Sequence, residues 1–182
     1  MPAPKVERSL VLNLTRDNAL RRMREIARQP APLSGACHLD DRLYLRLSGN
    51  AASVRAWEQQ LGGDGGAGDG FWQQLRDQQI SFFKPERPLW RLSVAPATPR
   101  LACEQEVLTD WAGAQRWLKS MEKPETIRAR ASELGGYAEC YDADEDIGTF
   151  HPLAPGLMRL HQRIKQSMDP AGIFNRKRLY PE

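Results

Sequence analysis

Leu43, Leu45 and Leu47 alternate with Tyr44 and Arg46, and this period of two constrains the chain more tightly than any other stretch. Successive side chains of a strand point to opposite faces, so the segment is a strand with one apolar face to bury. Ser34 to Leu39 forms a second strand just before it, and the acidic pair Asp40–Asp41 between them suits a hairpin turn.

The rest of the chain supplies partners for that hairpin. Leu10, Leu12 and Leu14 alternate and predict a strand; Thr15 can cap a helix in which Ala19, Met23 and Ile26 share a face. Ser53 opens a short helix with Val54, Trp57 and Leu61 inward, and a further helix runs from about Phe71 to Gln79. A strand at Trp90–Leu92–Val94 completes a β-α-β-β-α-β order with one extra helix inserted. The pattern then partly recurs. Val107 to Trp111 and Arg116 to Lys119 read as strands around a turn at Gly113. Pro124 sits well in the first turn of a helix carrying Ile127, Ala131 and Leu134, which Gly135–Gly136 ends. Tyr137 to Tyr141 is another strand, and a helix from about Pro155 to Met168 puts Leu157, Leu160, Ile164 and Met168 on one stripe. The order predicts an α+β fold of two ferredoxin-like halves, about 7–96 and 104–182. They share one antiparallel sheet with helices mainly on one face, plus a C-terminal helix.

Composition narrows the function classes. A chain of 182 residues with 41% hydrophobic side chains can bury a core, and a net charge of +3 does not by itself imply nucleic acid. No aromatic run of the kind that binds RNA on such a sheet is present. No apolar run approaches the length of a membrane span, and the start at Met1–Lys5 has no apolar stretch typical of a signal peptide. Cys37, Cys103 and Cys140 are far apart and odd in number, which favours a reducing cytoplasm over a disulfide framework. His38, His151 and His161 lack metal-ligand spacing, so no metal site is expected. Gly63 to Gly68 satisfies G-x-G-x-x-G in letters only. A helix precedes it and Asp64 and Asp69 would repel phosphate, so it reads as a surface loop.

The most distinctive stretch is the ending, Asp169 to Glu182. Pro170 cannot continue a helix and Gly172 allows a positive φ, after which Asn175 and three cations, Arg176 to Arg178, follow. One reading is a solvated basic tail. The other is a held loop, because Ile173, Phe174 and Leu179 interleave apolar anchors; Phe174 is then expected to be buried. Trp111, Arg116 and Trp117 likewise admit two readings, core aromatics with an arginine stem along them or part of a binding face.

The ending resembles the Asp-Pro-x-Gly-x-Phe-Asn-Pro-Gly-Arg segment of FAD-linked oxidases of the vanillyl-alcohol-oxidase type. With Phe71–Arg76, Leu89–Ser93 and Thr109–Leu118, nearly the whole chain resembles the C-terminal half of the FAD-binding subunits of bacterial glycolate oxidases. Arg176–Lys177 stand where that family has Pro-Gly. The resemblance implies an isolated cap domain, a truncated chain or a split gene product, without the N-terminal flavin-binding domain. It implies FAD in the full-length parent and none in this chain alone. It also implies a small 2-hydroxy acid, glycolate, as substrate, oxidised to glyoxylate. Expected partners are a catalytic flavoprotein and an iron–sulfur subunit of the same complex. A non-catalytic module docking those subunits is the alternative. The cytoplasm is the implied location, with any inner-membrane contact made through the complex. Carried over residue by residue, Asn175 and Arg178 approach the cofactor, and Asp110 and Arg116 lie on the face toward the flavin; the catalytic residues stay unassigned.

Overall fold

The computed structural model describes residues 4–65, 70–84, 86–99, 107–141, 148–176, 178 and 180. Cys103, Lys177, Leu179 and the second half of the Gly63–Gly68 stretch lie outside the described residues. In chain order the elements are β1 (Val6–Asn13), α1 (Arg16–Ala27), β2 (Leu33–Leu39), β3 (Arg42–Gly49) and α2 (Ala51–Leu61). A two-residue strand β4 (Asp64–Gly65), the short helix α3 (Phe71–Arg76) and β5 (Leu89–Ser93) follow. The second part holds β6 (Val107–Asp110), β7 (Gln115–Lys119), α4 (Pro124–Glu133), β8 (Tyr137–Cys140) and α5 (Pro155–Met168). Single 3-10 turns lie at Ser81–Phe83 and Trp111–Gly113. The fold is mixed α+β with one open antiparallel sheet.

The eight strands run in the order β4-β1-β3-β2-β6-β7-β5-β8. Two quartets therefore meet at β2 and β6, which share the residue pair His38↔Thr109. Read from the outside inward, each quartet places its fourth, first, third and second strand in turn. One sequence expectation is corrected here. The strand around Trp90 does not close the first quartet; β5 sits between β7 and β8. The fourth strand of the first quartet is instead Asp64–Gly65, from the stretch read as a loop, paired with Leu10 and Val11. Non-local pairing decided both outcomes, since β5 meets five residues of β7 in register from Leu89↔Lys119 to Ser93↔Gln115.

Period-two alternation sorts the side chains into two faces. Leu10, Ala36, Leu43, Leu45 and Leu47 pack under α1 and α2 with Ala19, Met23, Ile26 and Val54. The same face continues across the β2–β6 junction into Trp90, Leu92, Leu118, Ala138 and Cys140, covered by Ile127 and Ala131 of α4. The opposite face carries Cys37, Leu39, Leu89, Leu108 and Trp117, and among the described residues α3 and the 3-10 turn at Ser81–Phe83 lie against it, through Leu75 and Phe82. Asn50, rather than Ser53, caps α2, its side chain accepting from the Ser53 N–H at 2.8 Å. Thr15 stands at the N-cap of α1 without a side-chain cap bond.

The outer edge of β8 is closed by the segment that follows it. The Cys140 N–H donates to the Thr149 carbonyl at 2.9 Å, and the Ala138 N–H donates to His151 Nδ1 at 3.2 Å. An acceptor at Nδ1 places the ring proton on Nε2, which lies 3.1 Å from Ser132 Oγ. Beyond this strap, α5 buries none of its residues, and its stripe of Leu157, Leu160, Ile164 and Met168 is 46–81% exposed.

Among the described glycines, Gly136, just before β8, has the closest backbone neighbour. A Cβ there would lie 2.2 Å from the Ser93 carbonyl oxygen and 2.8 Å from Val94 Cγ1. Because the nearer atom is backbone, β5 and β8 must separate to admit a methyl group. Gly136→Ala is expected to destabilise the fold by about 1–3 kcal/mol, as overpacking does, read as a lowered urea midpoint with an unchanged slope.

Candidate functional site

The helix-poor face of the sheet is concave, with a cavity volume of about 630 Å³. Its floor comes from β1, β2, β3 and β7, one wall from α3, and its lip from the turn after β6. Each side chain there has an identifiable reason for its position.

Trp72 of α3 lies flat against the strands because β2 offers it a glycine. A Cβ on Gly35 would come within 2.9 Å of the Trp72 ring, and the register of β2 against β3 shifts between Leu33 and Gly35. The indole N–H of Trp72 donates to Ser9 Oγ at 3.1 Å. Neighbouring Phe71 stacks on Tyr44, ring centroids 3.8 Å apart. Two aromatic contacts and one hydrogen bond thus fix a helix of only six residues.

Arg46 shares the outward side of β3 with Tyr44. Its Nε donates to Ser34 Oγ at 3.0 Å and its Nη2 to the Ser34 carbonyl at 3.2 Å. The guanidinium carbon stands 5.2 Å from the Trp72 ring centroid, a cation–π distance. Glu7 approaches it only to 4.0 Å, and that carboxylate also accepts from Ser48 Oγ at 2.9 Å.

The lip is strained. Trp111 and Ala112 both have positive φ, 50° and 53°, which costs an L residue of order 1–3 kcal/mol. Asp110 Oδ1 accepts the Trp111 N–H at 2.8 Å, and the Trp111 side chain is left 68% exposed above the cleft. Burial pushes the Asp110 carboxyl above the usual carboxylate range; the Trp111 N–H and the charge of Arg46 partly offset that.

Arg116 lies on the side of β7 away from the cleft. Strand alternation puts Gln115 and Trp117 on the cleft side of β7 and Arg116 on the other, where it is 1% exposed. Its Nε donates to the Gly113 carbonyl at 3.3 Å, and its Nη atoms donate to the carbonyls of Pro99 and Thr98. Arg116 braces the strained turn from behind, while Asp110 lines the cleft. The sequence reading missed Arg46 as a cleft residue; its alternation with three core leucines was the available signal.

Asn175 and Arg178 fall together in the terminal loop, where the Arg178 N–H donates to the Asn175 carbonyl at 3.3 Å. Both are exposed, and Asn175 has φ 48°. Phe174 is 67% exposed, so the aromatic anchor expected for the loop is not what holds it. A carboxylate does. Asp169 Oδ1 accepts from the Ile173 N–H at 3.0 Å and Oδ2 from the Phe174 N–H at 2.9 Å, and Lys165 closes on the same Oδ2. Among the described residues no hydrogen bond or ring contact joins this loop to Asp110.

No family model matches the chain. Over all 182 residues, however, it is 41% identical to the glycolate oxidase subunit GlcE of Escherichia coli (strain K12). The chain is similar throughout to a glycolate oxidase subunit. It spans 51% of that relative's length. The resemblance read from the terminal segment and the tryptophan-bearing strands therefore holds along the entire chain. Among the described residues, no helix is long and apolar enough to cross a membrane.

The Asp169 cluster makes its own prediction. The Lys165 bond, followed by the two backbone N–H bonds, lowers its carboxyl from 3.8 to about 2. A depressed carboxyl stabilises the folded form above the unfolded value and loses that contribution as pH falls through the folded one. The amide proton resonances of Ile173 and Phe174 are expected to move together with a midpoint near pH 2, and Asp169→Asn is expected to abolish that titration.

Proposed function

We propose that this chain forms the substrate-side half of an FAD-dependent subunit of a glycolate-oxidising enzyme, its cleft face laid against a flavin held by another domain. The observation that carries the reading is the 41% identity, unbroken over the chain, to a glycolate oxidase subunit. The bare face supports it, because an eight-stranded sheet with α1, α2 and α4 on one side has an unfinished surface on the other. Two ferredoxin-like units, the first ending at β4, belong to the same reading, supported by the matching strand order of the quartets.

The residues of the cleft fit one wall of a ring site and not a diphosphate site. Gly63 and its neighbours follow a helix and lead into β4, whereas a phosphate cradle needs a strand before it and a helix N-terminus after it. A flavin held there would supply a hydride acceptor for the hydroxyl-bearing carbon of glycolate, the hydroxyl proton being lost to solvent as glyoxylate forms. The chain's own residues bind and orient the hydroxy acid, and the Trp111 lip and Trp72 wall exclude water from it. Asn175 and Arg178, exposed donors on a loop pinned by Asp169, reach the cofactor-bearing domain in this arrangement.

The exposed stripe of α5 favours a second reading. Leu157, Leu160 and Ile164 are each nearly half-exposed, and aliphatic area of that kind suits a protein interface. On this reading the chain docks the other subunits of a glycolate oxidase complex, including a catalytic flavoprotein and an iron–sulfur subunit, without taking part in turnover.

The 182-residue chain alone is expected to purify colourless and to leave glycolate unoxidised. The full-length protein that contains it is expected to be yellow and active, with Asn175→Ala weakening flavin retention at nearly unchanged melting temperature. Near-equimolar flavin absorbance in the chain alone would overturn the reading. Co-purification with the other subunits without added turnover would select the docking role.

A further inference from the structure

Among the described residues the cleft holds four charged ones, and their partners separate one of them from the rest. Arg76 is engaged by Asp77 through both Nε and Nη2. Glu7 accepts from Ser48, and Asp110 Oδ1 from the Trp111 N–H. Arg46 is different. Ser34 fixes its orientation through Nε and Nη2, and Trp72 supports its face, while among the described residues its one carboxylate contact, Glu7, stands at 4.0 Å. Its Nη1 makes no hydrogen bond among the described residues. A guanidinium whose rotamer is locked while part of its donor fork stays open has met much of the entropic cost of binding in advance.

The surroundings also select the charge of the ligand. Glu7 and Asp110 line the same cleft, and Asp110 lies within electrostatic reach of Arg46. Two carboxylates near one cation weigh against a dianion such as phosphate, whose second charge would meet no matching cation. Asp110 Oδ2 makes no hydrogen bond among the described residues, which provides an acceptor for a hydroxyl.

We propose that Arg46 anchors the carboxylate of a small monoanionic hydroxy acid in this cleft, with Asp110 Oδ2 accepting from the hydroxyl. The proposal rests on the reading of the chain as the substrate-side half of a glycolate-oxidising subunit, and it assigns the residues that would recognise the substrate. Arg46 here is a binding residue; nothing in the geometry asks it to move a proton.

The test is an NMR titration of the 182-residue chain, following the Arg46 Nε–H and Trp72 indole resonances. Glycolate is expected to shift both saturably, acetate more weakly, and ethylene glycol not at all. Arg46→Gln is expected to weaken glycolate binding roughly tenfold or more, in keeping with a lost charge-assisted hydrogen bond. Arg46→Lys keeps the charge without the fork and is expected to recover only part of it. Asp110→Asn is expected to bring glycolate down to the level of acetate. No saturable glycolate shift at Arg46, or equal glycolate binding by Arg46→Gln with an unchanged melting temperature, would overturn the proposal. The full-length flavoprotein separates the two readings. Glycolate turnover with an unchanged KM in Arg46→Lys sinks the anchor alone. Absent glycolate turnover, with the Arg46 shifts still present, sinks the oxidase reading and leaves the anchor.

Discussion

A permanent cation buried behind the cleft holds the centre of this molecule together. Arg116 cannot shed its charge, so the interior must supply acceptors for it, and it does so with the carbonyls of Thr98, Pro99 and Gly113. Those three oxygens belong to two separate stretches of chain, the turn after β6 and the segment after β5. Tying them to one rigid fork fixes where β6 ends and where Trp111 and Ala112 adopt their costly conformation. Asp110 then points into the cleft because the turn beyond it cannot relax.

The cleft itself follows from an imbalance of covering layers. Among the described residues, three helices of ten to twelve residues cover one face of the sheet, while the other has a six-residue helix and a 3-10 turn. Aromatic side chains compensate. Tyr44, Phe71, Trp72, Phe83 and Trp117 spread over the strands in stacked and edge-on contacts, which fill the face thinly and leave a hollow among them. Polar groups survive in that hollow because it is open, and Arg46 keeps its charge there through Ser34 and Trp72.

Much of the architecture was legible in the sequence because it is written in local periods. The leucine alternation of β3 and the 3.6-residue spacing of α1 and α4 each correspond to a buried face. What was not legible is pairing at a distance. Nothing near Trp90 says that it will lie beside Leu118 and Cys140 rather than close the first quartet, and Asp64–Gly65 is too short and too rich in glycine to announce a strand. At the site, parity alone would have moved Arg116 to the far side of β7 from Trp117. Arg46 was passed over because an arginine opposite core leucines reads as solvated. Phe174 misled in the opposite sense: its ring resembles an anchor, but the loop is held by the Asp169 carboxylate, which the sequence presents only as the residue before a proline.

The strap over β8 has a consequence for how this protein behaves in company. An unpaired sheet edge offers its N–H and C=O groups as a template to any extended chain. At β8 the Ala138 and Cys140 N–H groups already donate to His151 and Thr149, so those two donors are not on offer to an added strand. At the other margin, among the described residues, β4 covers β1 only beside Leu10 and Val11. The stretch before them carries Glu7 and Arg8, and charged side chains on an edge discourage a flat, apolar partner from adding on. Fibre-like growth by edge addition is thereby opposed at one end by occupied backbone donors and at the other by charge.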